Sequence, residues 1–373
     1  MSGYLRSVPA VRSAEISPLA SLYLVHDLSP YPALNALATP NPDIRVDLRA
    51  AEFEAASLVH SSVDPDIVRR LVGIHSLRTI KTYANHLNRY GRFAGERGQP
   101  TAPLTAATLC QYLWSRMEQG VNYPQLVREN DALSACMTML NIESCTSDPL
   151  VKRTKKAIGR KIGTRHDGRA KPLMVRDLRR ALPWLEKVEK TEPDRAFMYR
   201  LVLVLGTATM LRREEFASVR IRDLKRTSYG YSLAVYKTKT RKATEPPAYI
   251  HLERTHDERI CPVRLIDDYF RRYGFTDGPF LRRLLADGKP GRSAMHPHKI
   301  STIVGDVVVG AGIGSRKGFT GHSLRNGGIN SAAQAGKTLD EIRSVSLQRD
   351  RESTYRYIND SVCVRPMTTA IFT

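Results

Sequence analysis

Residues 321 to 336 read GHSLRNGGINSAAQAG. His322 and Arg325 are three apart, so a helix here would carry an imidazole and a guanidinium on one face. Behind them come Gly327, Gly328, Ala332 and Ala333. Small residues on a helix let it lie close to a neighbour, which would point its polar first turn at a fixed place, and helix starts favour phosphate. Alone the pair proves little, because an arginine-rich chain shows an H-x-x-R by chance. Its simplest reading is a surface pair on a helix.

The rest of the chain raises the stakes of that pair. It has 373 residues, 58 Lys and Arg against 37 Asp and Glu, a formal net charge of +21 and a pI near 10. Such an excess repels itself unless a polyanion offsets it; nucleic acid is the first partner to expect and an anionic membrane surface the second. The length suggests two compact units with an added tail. No apolar run reaches the roughly eighteen residues of a membrane span, and the start MSGYLRSVPAVRS lacks the apolar block of a secretory signal. A soluble intracellular protein is expected, in the nucleus of a eukaryotic host or otherwise in cytoplasm or nucleoid. Cys110, Cys136, Cys145, Cys261 and Cys363 are odd in number and scattered, without a C-x-x-C pair, so reduced thiols and no metal site are expected.

Residues 1 to 65, with several prolines and the segment SPYPALNALATPNPD, read as an extension, partly disordered or an arm that docks on a partner. From Ser76 the pattern changes. Ile80, Tyr83, Leu87, Tyr90 and Phe93 recur at steps of three and four, which marks an amphipathic helix. Further helices are expected after Thr105, over about 123 to 140, and after Asp148-Pro149, making residues 66 to 165 a small helical unit. Between Lys152 and Arg180 the segment KRTKKAIGRKIGTRHDGRAKPLMVRDLRR reads as the end of that unit, a basic linker and the first helix of a second unit over 166 to 360. Its cations are candidate nucleic-acid contacts: Lys152, Arg153, Lys155, Lys156, Arg160 and Lys161, then Arg165, Arg169 and Lys171. The alternative is a solvated charged face.

The second unit opens with helices at 176 to 188 and 195 to 209, the latter apolar enough to be central. YSLAVYK and AYIHL read as strands, joined by the basic TKTRKATEPP. A helix follows over CPVRLIDDYFRRYG, and the chain to about 358 reads as mostly helical, with residues 361 to 373 a tail. The fold class is therefore mainly α with a small antiparallel β-sheet.

Three other places hold side chains able to do chemistry. In MLRREEFASVRIRDL (210 to 224) Arg212 follows the apolar helix and Glu215 lies one turn on, which by itself reads equally as an exposed ion pair. In YKTKTRK the strand leads into Lys237, Lys239, Arg241 and Lys242, of which only one would face a reacting atom. In RESTYRYIND Tyr355 and Tyr357 sit among polar residues.

The order of these residues, an arginine, a lysine on a β-turn, H-x-x-R and then a tyrosine, resembles the tyrosine recombinase or phage integrase family. The likeness is closest to a Cre-like catalytic core, in MLRREEFASVRIRDL, KTKT and GHSLRNGG through RESTYRYIND, with a looser match of the helices at 76 to 165 to the family's core-binding (SAM-like) domain. CPVRLIDDYF is similar to the segment after the sheet in mobile-element members. The resemblance implies that Arg212 and Arg325 hold the scissile phosphate, a task suited to planar guanidiniums. It implies Tyr357 as nucleophile with Tyr355 the fallback, His322 as proton acceptor or hydrogen-bond donor to phosphate, and Lys239 as general acid with Lys237 second. Glu215 matches the acidic position that supports the first arginine. Gln348, beside Arg349, stands where the family commonly has His or Trp, and either side chain can donate to a phosphate oxygen. Neither metal nor organic cofactor is implied, since phosphoryl transfer asks mainly for alignment and charge. The implied partner is double-stranded DNA, bound by a homo-oligomer that is a tetramer on paired sites, with no small-molecule substrate. A recombinase-derived protein that only binds DNA and a type IB topoisomerase are the competing readings.

Overall fold

The computed structural model describes residues 27–59, 64–72, 74–164, 170–236, 244–348, 350–355 and 358. Its contacts divide the chain into two compact units, Met1–Asp167 and Gly168–Thr373. Among the described residues no helix is long and apolar enough to cross a membrane.

The first unit is all helical: α1 Pro32–Ala38, α2 Leu48–Val59, α3 Pro65–Leu71, α4 Leu77–Gly95, α5 Ala106–Glu118, α6 Tyr123–Met139 and α7 Pro149–Ile162. The last four lie where apolar periodicity and caps put them. Ser76, Thr105, Asn122 and Asp148 each accept a backbone N–H of the first turn, relieving donors that a helix start leaves unmatched.

The reading of residues 1 to 65 as an extension fails for 27 to 59. Leu28, Leu34, Leu37, Ile44, Leu48, Ala51 and Ala55 are buried in the same core as Leu87, Leu109 and Leu133. The backbone N–H groups of Thr101 and Ala102 donate to Leu37 O at 2.9 and 3.0 Å. Gly95 gives room for this, because a Cβ there would lie 2.4 Å from the Asn41 carbonyl carbon. The prolines misled: Pro32 opens a helix, where its missing N–H costs nothing.

Inside this core Glu129 is fully enclosed. Arg116 donates to it through Nε (3.0 Å) and Nη2 (2.9 Å), Tyr112 through its hydroxyl (2.8 Å) and Arg89 through Nη1 (3.1 Å). On α7, Val151, Thr154 and Ile158 face inward. Lys152, Arg153, Lys156, Arg160 and Lys161 are exposed on the same helix, Lys155 is half-buried, and the Lys161 ammonium lies 5.6 Å from the Trp114 ring centroid.

The second unit begins with α8 Val175–Glu189 and α9 Pro193–Thr209, the latter buried along nearly its whole length. A short α10, Arg213–Ala217, follows. Then come β1 Leu224–Arg226, β2 Gly230–Val235 and β3 Ala248–Glu253, an antiparallel sheet in the order β1-β2-β3 with Leu224 opposite Leu233 and Leu233 opposite Ile250. After α11 Pro262–Tyr273 the chain forms a second hairpin, β4 Arg282–Leu284 and β5 Pro290–Ala294. The sequence reading had helix here. Arg282 explains the miss: it is buried, stacked 3.8 Å over Phe275, and donates to the Asp277 carbonyl at 2.6 Å. A strand built around a buried arginine has no apolar alternation to detect. The unit closes with α12 Pro297–Gly310, α13 His322–Gln334, α14 Leu339–Ser346 and α15 Arg351–Tyr355.

Candidate active site

Helix α9 ends at Met210, whose backbone is left-handed (φ 49°, ψ 20°). That turn frees the Met210 carbonyl to accept from Arg325 Nη1 at 2.5 Å. Two residues on, the Arg212 backbone N–H donates to Glu215 Oε2 (2.9 Å) and its Nη1 to Glu215 Oε1 (2.8 Å). The carboxylate is only 7% exposed and the Arg212 side chain 20%. Such a pair is held and partly desolvated, unlike a surface i,i+3 contact.

Helix α13 is brought to this turn by its small residues. A Cβ on Gly327 would lie 1.7 Å from the Leu173 carbonyl oxygen, and one on Gly328 would lie 2.3 Å from that of Thr207. Both obstacles are backbone, so neither yields. The first turn is tied further by Leu173 N–H to Ser323 O (2.9 Å) and by Asn326 Nδ2 to Ala170 O (2.6 Å). Arg325 is fully buried, an arrangement that requires polar partners for its charge.

His322 is solvent-exposed as a residue, yet protein atoms crowd its ring. Desolvation holds the imidazole below its ordinary proton affinity; Arg213, Arg325 and Arg212 press in the same direction, and Glu214 opposes them. The neutral ring is therefore favoured.

The structure thus gathers four of the residues singled out from the sequence, Arg212, Glu215, His322 and Arg325. Gln348 is buried, and its Oε1 accepts from the Ser346 hydroxyl (3.2 Å) and the Thr354 hydroxyl (2.9 Å). Two hydroxyl donors fix which end of the carboxamide faces inward, leaving the NH2 end as the donor for any other partner. Tyr355 is exposed. Lys171 is exposed, its ammonium 6.0 Å from the Phe319 ring centroid. Lys237, Lys239, Arg241, Lys242, Arg349, Tyr357, Arg165 and Arg169 lie outside the described residues. Segment 237–243 falls between β2 and β3 in the chain, and Ile358, next to Tyr357, packs against a cluster of Met210, Ile329 and Ile342. Sequence reasoning missed the Met210 carbonyl and the Asn326 tie, because backbone acceptors and single amides leave no pattern.

No family model matches the chain. It is 24% identical over 295 residues to a curated integrase/recombinase XerD homolog of Selenomonas ruminantium, covering 78% of this chain and 84% of that one. Among solved structures it is similar to the XerH site-specific recombinase bound to a palindromic difH substrate, with a TM-score of 0.58, 15% identity and 96% and 97% of the two chains covered. The Tn1549 transposon integrase with transposon right-end DNA gives a TM-score of 0.54 at 14% identity, over 85% of this chain and 98% of that one. A lambda integrase dimer on a core site gives 0.51 at 14%, over 81% and 95%. The fold is that of the tyrosine recombinases and integrases. The resemblance to that family read from the sequence is borne out as a likeness of fold.

Proposed function

We propose that the chain is a site-specific DNA recombinase or integrase, of mobile-element or viral type, that cuts and rejoins strands through a 3′-phosphotyrosyl link. What supports this most is the pair of guanidiniums at the end of α9, Arg325 on the Met210 carbonyl and Arg212 held by Glu215 two residues on, with a neutral-leaning His322 beside them.

In this reading the Tyr357 phenol oxygen attacks phosphorus. Its proton passes to His322 or to water, and the P–O5′ bond breaks. Lys239, or Lys237 in its place, gives a proton to the departing 5′ oxygen, which is otherwise a poor leaving group. Arg212 and Arg325 hold the non-bridging oxygens as negative charge grows on them. Glu215 keeps Arg212 aimed, and the NH2 of Gln348, with Arg349 beside it, supplies a further donor. The phosphotyrosyl bond conserves the energy of the broken one, so a second 5′ hydroxyl reverses the step without ATP. Arg325 is enclosed in the chain alone, so it meets a phosphate only after a rearrangement that uncovers it.

The first unit, with residues 27 to 59 in its core, would be the core-binding domain and the second, from Gly168, the catalytic domain, acting as a tetramer on two duplex sites inside the cell, with the 361 to 373 tail in subunit contact. The α7 cations and Arg165, Arg169, Lys171, Arg241 and Lys242 would meet phosphates.

A nicked suicide duplex carrying the element's end tests this. A covalent adduct is expected, lost in Tyr357→Phe and kept in Tyr355→Phe. The internal anchoring of Gln348 Oε1 favours one second reading, a protein that binds DNA without cutting it. Sequence-specific binding with no adduct from any nicked site would establish that instead.

A further inference from the structure

We propose that Arg213 and Ser301 form a positioning pair for His322, seating the first turn of α13 against the loop that carries Arg212. The inference rests on the recombinase reading for its purpose and on the following contacts for its substance.

The Ser301 hydroxyl oxygen, on α12, accepts two donors: the Gly321 backbone N–H at 2.9 Å and Arg213 Nη1 at 3.3 Å. Gly321 immediately precedes His322, so one oxygen joins the start of α13, helix α12 and helix α10. Arg213 also donates through Nη2 to Glu214 Oε1 at 2.8 Å. Its aliphatic stem lies along Gly321, where an added Cβ would sit 2.9 Å from Arg213 Cδ and 3.0 Å from Cγ. The Gly321 backbone is ordinary right-handed helix (φ −57°, ψ −24°), so glycine is needed there for space and not for conformation.

Arg213 thereby acts on His322 in two ways, the first of which neither Arg212 nor Arg325 shares. Its stem and its bond to Ser301 fix the height at which His322 leaves the helix. Its charge stands beside the imidazole together with Arg212 and Arg325, opposed by Glu214, and disfavours protonation. Both effects keep a neutral ring at one position, which is what a proton acceptor needs. Arg213 touches no reacting atom and acts through His322.

The test is a histidine NMR titration of the full-length protein without DNA, with the His322 signal identified by its loss in His322→Gln. Arg213→Ala removes a like charge and opens the ring to water, so the His322 pKa is expected to rise; Arg213→Lys should keep it low. Ser301→Ala is expected to slow covalent adduct formation roughly tenfold to a hundredfold with DNA saturating, and the acid limb of the Arg213→Ala rate profile should move to higher pH. An unchanged or lower His322 pKa in folded Arg213→Ala overturns the proposal. If Arg213→Ala does not fold, an unchanged adduct rate in Ser301→Ala overturns it. A wild type that never forms an adduct, with the titration shift present, supports the seating and removes the recombinase reading.

Discussion

Glu129 is a carboxylate that stays ionised without touching water. Burial pushes its proton affinity up, but the hydrogen bonds from Arg116 and Tyr112 and the charges of Arg116 and Arg89 outweigh that, leaving it below its ordinary value. Removing it would strand the Arg116 guanidinium, whose side chain is 13% exposed. Glu129→Ala is therefore expected to cost about 3–5 kcal/mol, read from the urea unfolding of the first unit. A loss under about 1 kcal/mol would show that Arg116 finds water instead. Little of this was legible beforehand: the α6 sequence shows a charged ENDA stretch, and nothing in a sequence distinguishes an enclosed carboxylate from a solvated one. Arg212 and Glu215 were legible as a pair, through their spacing after an apolar helix, but their shielding was not.

Helix α13 carries an expectation whose sign runs against the rule. In most helices replacing glycine with alanine stabilises by roughly 0.5–1 kcal/mol. Gly327→Ala must instead drive a methyl into the Leu173 carbonyl oxygen, so it should destabilise by about 2 kcal/mol or more and pull the Ser323 and Asn326 ties apart. Thermal unfolding decides, and a raised midpoint would refute the close approach. The element scale is where the sequence spoke most clearly. Periodic apolar positions and capping residues gave α4 to α9, β2, β3 and α11 to within a few residues. It failed at α1 and α2, where prolines that open helices and line turns looked like disorder. It failed again at β4 and β5, where a buried arginine replaced the expected alternation.

Across the whole chain the excess of cations is the dominant physical fact, and α7 displays a compact share of it. Val151, Thr154 and Ile158 anchor the helix while Lys152, Arg153, Lys156 and Arg160 face solvent. If these meet DNA phosphates, the logarithm of the binding constant should fall steeply with the logarithm of salt concentration, and each contact removed should reduce the slope by about 0.9. Alanine at all four should weaken binding to every sequence alike; a loss confined to one target would assign them to base reading instead. Net charge pointed to a polyanion, and the spaced motifs pointed to the chemistry proposed above.

Met210 gives the molecule a property that no single bond states. Its thioether shares an apolar nest with Ile329, Ile342 and Ile358, while the oxygen of the same residue grips Arg325. Ile358, the last described residue, and the buried Arg325 guanidinium thus meet the same neighbourhood, one through the apolar cluster and the other through the Met210 carbonyl. A substitution that empties this nest, such as Ile342→Ala, is therefore expected to loosen the footing of a buried charge as well as an apolar contact.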